Sequence, residues 1–143
     1  MLHWVTEHYL KNFNCPEFHL YDNDKPEYGK AVDEVNARGD GSWATQTKKR
    51  EIENYLHTDA IKEVYGVQIN IPDDLDDDGK DVPKLFSEAI YNPERDDAPM
   101  KDSAAKKRLT KAFKAMTAVR IRERDPEGEV ESWFRKLSEM MTA

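Results

Sequence analysis

The stretch "FHLYDNDKPEYGKAVDEVNARGDG", Phe18 to Gly41, limits the fold more than any other part of the chain. An apolar run stops on acids and passes straight into an amphipathic segment led by proline. Strand followed directly by helix is the signature of α/β folds. The pattern predicts a strand over 17–22 after Pro16, then a helix opening near Pro26. Proline suits a first helical turn, where its missing N–H has no intrahelical partner to lose. Ala31, Val32 and Val35 give that helix its apolar side, and the Gly39 and Gly41 region ends it. "WATQT", 43–47, reads as a second strand. The expected fold class is therefore α/β: a small parallel sheet flanked by helices, with a helical C-terminal part.

Elsewhere the spacing of apolar residues is helical. Leu2, Val5, Tyr9 and Phe13, widened by Trp4 and Leu10, predict a helix over 2–12. Thr58 is placed to cap a short helix carrying Ile61, Val64 and Tyr65. A loop from Gly66 to Val82 contains a strand candidate at "VQINI", and a helix follows over 82–91. Ala105, Leu109, Ala112, Phe113 and Met116 stripe the next helix. Asp125 and Pro126 mark the start of the last, with Val130, Trp133, Phe134, Leu137, Met140 and Met141 as its apolar face. A length of 143 residues suits one domain: a strand–helix core over 1–65, an acidic loop and helix over 66–100, and a basic then an amphipathic helix over 101–143.

Cys15 is the only cysteine, which excludes an internal disulfide framework and any zinc cluster built on cysteines. His3, His8, His19 and His57 have no zinc-type spacing with it. No apolar run reaches the roughly 18 to 20 residues that a membrane span needs, and no signal peptide is read at the start, so a cytoplasmic location without membrane contact is expected. The net charge of −7 argues against indiscriminate nucleic-acid binding. Its distribution is uneven, because residues 101–124 hold nine Lys or Arg against two acids. "DLDDDGKD" begins like a calcium loop at Asp74, Asp76, Asp78 and Gly79. Leu85 then stands where a bidentate Glu belongs and Asp81 where an apolar residue is usual, so it reads as an acidic surface loop.

Asp22 and Asp24 close the first strand, at the end where open α/β sheets place their sites. Carboxylates there can hold Mg²⁺, which prefers oxygen ligands and can activate water for phosphodiester hydrolysis. Asp22, Asn23 and Asp24 can equally form a polar turn before the Pro26 helix, with Asp24 near its N-cap.

"YDNDKPEY" together with "REIENYL" resembles the TOPRIM domain of OLD-type (overcoming lysogenization defect) nucleases. That resemblance implies a divalent-metal-dependent DNA endonuclease module using Mg²⁺ or Mn²⁺. It implies Asp22 and Asp24 as metal ligands, and Glu53 as a further one, from a Ser-x-Glu type motif in which Glu51 stands at the serine position. In the family a lysine near the basic helix stabilises the charged transition state; Lys106 and Lys107 both match, and spacing does not choose between them. The resemblance covers the later part of the family domain. It implies that the strand bearing the first catalytic Glu, and the ATPase domain, come from an upstream partner chain, with a homo-oligomer as the other expected assembly. DNA is the expected substrate. The alternative is a non-catalytic TOPRIM remnant acting as an interaction or nucleic-acid-binding protein.

Overall fold

The computed structural model describes residues 15–142, so the helix expected over 2–12 lies outside the described residues. The element order is β1 (Phe18–Tyr21), α1 (Glu27–Asn36), β2 (Trp43–Gln46), a 3-10 turn (Ile52–Tyr55), α2 (Thr58–Tyr65), α3 (Val82–Ile90), α4 (Asp102–Ala112) with a 3-10 extension (Phe113–Ala115), α5 (Ala118–Arg124) and α6 (Glu129–Thr142). These elements fall into two compact units. One takes the described residues up to Lys48 together with those from Glu129 onward, and the other is Lys49–Gly128.

The first unit is the α/β one. β1 and β2 pair in parallel, Phe18 opposite Trp43 and Tyr21 opposite Gln46. Parallel neighbours need a crossover, and α1 provides it. Trp43 N–H donates to the Glu17 carbonyl and Thr47 N–H to the Tyr21 carbonyl, both at 2.8 Å, so the ladder runs one residue past each end. The rings of Phe18 and Trp43 meet at 5.0 Å across the register. A two-stranded sheet alone is marginal in water. Here α1 covers it, with Ala31 and Val35 buried alongside Tyr21 and Ala44, and Tyr28 and Val32 packed against them.

Asn36, the last residue of α1, finishes the sheet. Its side-chain amide donates to the Ala44 carbonyl at 3.0 Å and its oxygen accepts from Ala44 N–H at 2.9 Å. One side chain thereby occupies both backbone groups that β2 would otherwise offer at this point to another strand. On α6, Trp133 is buried while Phe134 and Met141 are exposed. The inward stripe is thus Val130, Trp133, Leu137 and Met140, narrower than the apolar face expected from sequence.

Lys49–Gly128 is helical. Leu56, Ile61, Ile69, Ile71, Val82, Phe86, Ala105, Leu109 and Ala112 form its core. The expected strand at "VQINI" is not one, since residues 67–71 pair with no strand among the described residues. Ile69 and Ile71 still alternate inward, and the Ile69 carbonyl accepts from the Thr58 hydroxyl at 2.8 Å. That bond also corrects the expected cap: His57 is the N-cap of α2, its Nδ1 accepting from Asp59 N–H at 3.1 Å. Val64, expected inside, is exposed. Asp81 caps α3 by accepting from Lys84 N–H at 2.9 Å. The start expected at Asp125 and Pro126 also moves, because Asp125 ends α5 and α6 begins at Glu129 after Gly128 at φ 71°. α5 itself was not foreseen; it buries no residue, so it leaves no apolar stripe in the sequence. Among the described residues no helix is long and apolar enough to cross a membrane.

Candidate functional site

In the α/β unit, Asp22 is the first residue beyond β1, and the chain bends through Asn23 and Asp24 before α1. Both acids are half-buried. The Asp22 carbonyl accepts from Gln46 Nε2 at 3.4 Å, which ties the bend to the end of β2. Asp24 Oδ1 is buried with no hydrogen-bond partner among the described residues. Pro26, and not Asp24, stands at the N-cap of α1, without a side-chain cap.

The same strand carries a second polar feature. Glu17, His19 and Tyr21 alternate on one face of the extended chain. Their side chains form a line, Tyr21 hydroxyl to His19 Nδ1 at 3.1 Å and His19 Nε2 to Glu17 Oε2 at 2.7 Å, with Arg38 Nη1 on the same oxygen at 2.9 Å. An ionised Glu17 only accepts, so His19 Nε2 carries the proton; in the neutral imidazole, Nδ1 then accepts from Tyr21. Burial raises the Tyr21 phenol above its ordinary 10.0, opposed by the Arg38 charge, so its hydroxyl stays protonated at neutral pH. The line is a positioned polar network, and a strand pattern of Glu-x-His-x-Tyr was its available signal.

In the helical unit the motif "REIENYL" becomes the 3-10 turn. Its acids are inside: Glu51 and Glu53 are 4% and 6% exposed. Glu51 and Asn54 close a capping box, with Glu51 N–H donating to Asn54 Oδ1 at 2.9 Å. The Asn54 amide nitrogen donates to the Pro72 and Asp74 carbonyls at 2.9 and 3.0 Å, and Arg124 donates to the Asn54 carbonyl at 2.7 Å. Tyr55 is buried, and its hydroxyl accepts from Lys49 N–H at 3.2 Å. Lys49 and Arg124 both reach Asp73. The turn is thereby fixed to the 72–74 loop from several directions.

Lys106 joins this turn to α4. Its Nζ donates to Glu51 Oε1 at 3.0 Å across 55 residues of sequence. Ala105, Leu109 and Ala112 face the core. Lys107, Lys111 and Lys114 are exposed on the other side, Arg108 is exposed beside the core-facing row, and Lys101 is exposed just ahead of the helix. Lys107, Lys111 and Lys114 recur at the i, i+4, i+7 spacing that aligns one row of a helix.

The structure therefore brings Glu51 and Lys106 into contact, sets Glu53 on the same turn, and leaves Lys107 on the outer face. Asp22 and Asp24 belong to the other compact unit. Among the described residues no three His, Cys, Asp or Glu side chains are grouped so as to hold a metal ion, so no three-ligand set for Mg²⁺ or Mn²⁺ is formed as the acids stand. Comparison with protein-family models, with curated proteins and with solved structures finds no match.

Proposed function

We propose that the Lys49–Gly128 unit is a nucleic-acid-binding module that uses the outer face of α4 without performing chemistry. One observation carries this reading. Lys101, Lys107, Lys111 and Lys114 are exposed, and among the described residues none of their side chains has a hydrogen-bond or ion-pair partner. By contrast, Lys49, Lys80, Lys106, Arg120 and Arg124 are each engaged with a carboxylate. A helix row of unengaged cations tracks phosphates, and releasing their counterions drives association. The chain's overall −7 opposes long-range attraction, so binding is weak and contact-driven. Fluorescence anisotropy with a labelled oligonucleotide tests the reading. Lys107→Glu, Lys111→Glu and Lys114→Glu combined should weaken binding at least about a hundredfold. Unchanged affinity in that variant, or no binding by the parent chain at low salt, removes the proposal.

Divalent-metal-dependent DNA cleavage of the OLD/TOPRIM type is the second reading, favoured by the meeting of Glu51 with Lys106 from separate stretches. Its acids are Asp22, Asp24, Glu51 and Glu53, with Lys106 or Lys107 as the assisting cation. It requires Glu51 to exchange an ammonium partner for a metal ion. Mg²⁺ or Mn²⁺ should then raise the melting temperature of the parent chain but not of Asp22→Ala with Asp24→Ala. Absence of a metal-dependent shift sinks it.

A further inference from the structure

The Lys49–Gly128 unit also contains a cavity of about 470 Å³, lined by Tyr65, Ile90, Tyr91, Arg95, Met100 and Arg108 among others. That volume falls within the range of small-molecule sites, roughly 300–1,000 Å³. Its walls are fixed from behind. The Ser87 hydroxyl donates to the Met100 carbonyl at 2.6 Å, and the Tyr65 ring meets Phe86 edge-on at 4.9 Å. The Tyr65 hydroxyl donates to the Arg108 carbonyl, which anchors this wall to α4. Arg95 stands on a turn closed by its own N–H donating to the Asn92 carbonyl at 3.0 Å.

The lining divides by chemistry. Ile90, Met100 and the two tyrosine rings give an apolar and aromatic surface. Arg95 and Arg108 also line the cavity, and neither guanidinium has a hydrogen-bond or ion-pair partner among the described residues. Asp96, the acid in the same lining, already accepts from Asn92 N–H at 3.2 Å. Planar guanidinium groups hold phosphate or carboxylate through paired N–H donors, and tyrosine faces accept flat rings. We propose that this cavity binds a small aromatic oxyanion, a flat ring bearing a phosphate or carboxylate, at a site separate from the outward row of Lys107, Lys111 and Lys114.

Phenyl phosphate is the probe, titrated into the ¹⁵N-labelled full chain and followed by NMR, with inorganic phosphate and benzyl alcohol as single-part comparisons. The proposal expects saturable shifts in residues 87–100 and around Arg108, with each comparison compound at least about tenfold weaker. Arg95→Gln and Arg108→Gln should each weaken phenyl phosphate about tenfold while leaving the rest of the spectrum in place. Benzoate in place of phenyl phosphate reads which oxyanion is preferred, and its binding at the same amides also supports the site. Shifts concentrated on Lys107, Lys111 and Lys114, equal affinity for inorganic phosphate, or unaltered binding in both variants would overturn it.

Discussion

Replacing Lys106 by Met takes the cation away from a carboxylate that is only 4% exposed. The contact is 3.0 Å long, and the Lys106 side chain is 38% exposed, so one partner is buried and the other touches water. A hydrogen bond between charged groups contributes about 1.5–3 kcal/mol, and breaking a wholly buried pair costs about 3–5. Water around the Lys106 head moves the expectation toward the lower figure, to about 2 kcal/mol. Glu51→Gln alone should cost less, because the amide oxygen still accepts within the capping box. Combining the two should return stability to within about 1 kcal/mol of the parent, since neither residue then brings a charge. Urea unfolding followed by far-UV circular dichroism is the assay. The Lys49–Gly128 sequence holds no tryptophan, and its elements are helical, which suits that signal. A loss under about 0.5 kcal/mol for Lys106→Met, or a strictly additive double variant, would show that the pair does not hold α4 to the turn.

Two other expectations concern separate parts of the chain. Asn36→Ala removes both bonds to Ala44 and should cost about 2 kcal/mol, read by Trp43 fluorescence in urea; the uncovered β2 edge should also raise the tendency to self-associate. Asp73 gives a pH signature: the Lys49 hydrogen bond, aided by the Lys49 and Arg124 charges and opposed by burial, holds its carboxyl below 3.8. A depressed folded-state value means that its stabilisation is present above the unfolded value and lost as pH falls through the folded one. The stability difference between parent and Lys49→Met should therefore be level from about pH 5 to 7 and shrink below about 3.8. Because the Asp73 side chain is 71% exposed, that difference should stay under about 1 kcal/mol. A difference that grows on acidification would reverse the assignment.

The elements readable in advance are those whose signal is local. β1, α1 and β2 follow from apolar runs, a proline and two glycines within 30 residues of one another, and α4 from its stripe. Contacts across long separations leave no such trace. Glu51 and Lys106 look in sequence like an acid near a basic turn and a lysine on a solvated helix, and only folding shows that each satisfies the other. The Asn36 clasp spans only eight residues and is hidden for another reason, since a helix-terminal Asn has many uses. "VQINI" has strand composition, but strand identity depends on a partner strand, and Ile69 and Ile71 are instead held by helices and by the Thr58 hydroxyl. Of the residues named from the OLD/TOPRIM resemblance, Glu51 and Glu53 lie at a buried turn that Lys106 reaches from α4, and structural and chemical roles there draw on the same residue types.

α4 turns Lys106 inward to Glu51, and the proposed function sets the outward row of Lys107, Lys111 and Lys114 against phosphate. The salt dependence of oligonucleotide binding tests it most directly. Engagement of Lys101, Lys107, Lys111 and Lys114 predicts that log K falls against log salt with a slope of about −2.8 on single strands to −3.6 on duplex. A slope shallower than about −1, or no measurable binding at low salt, would contradict the account.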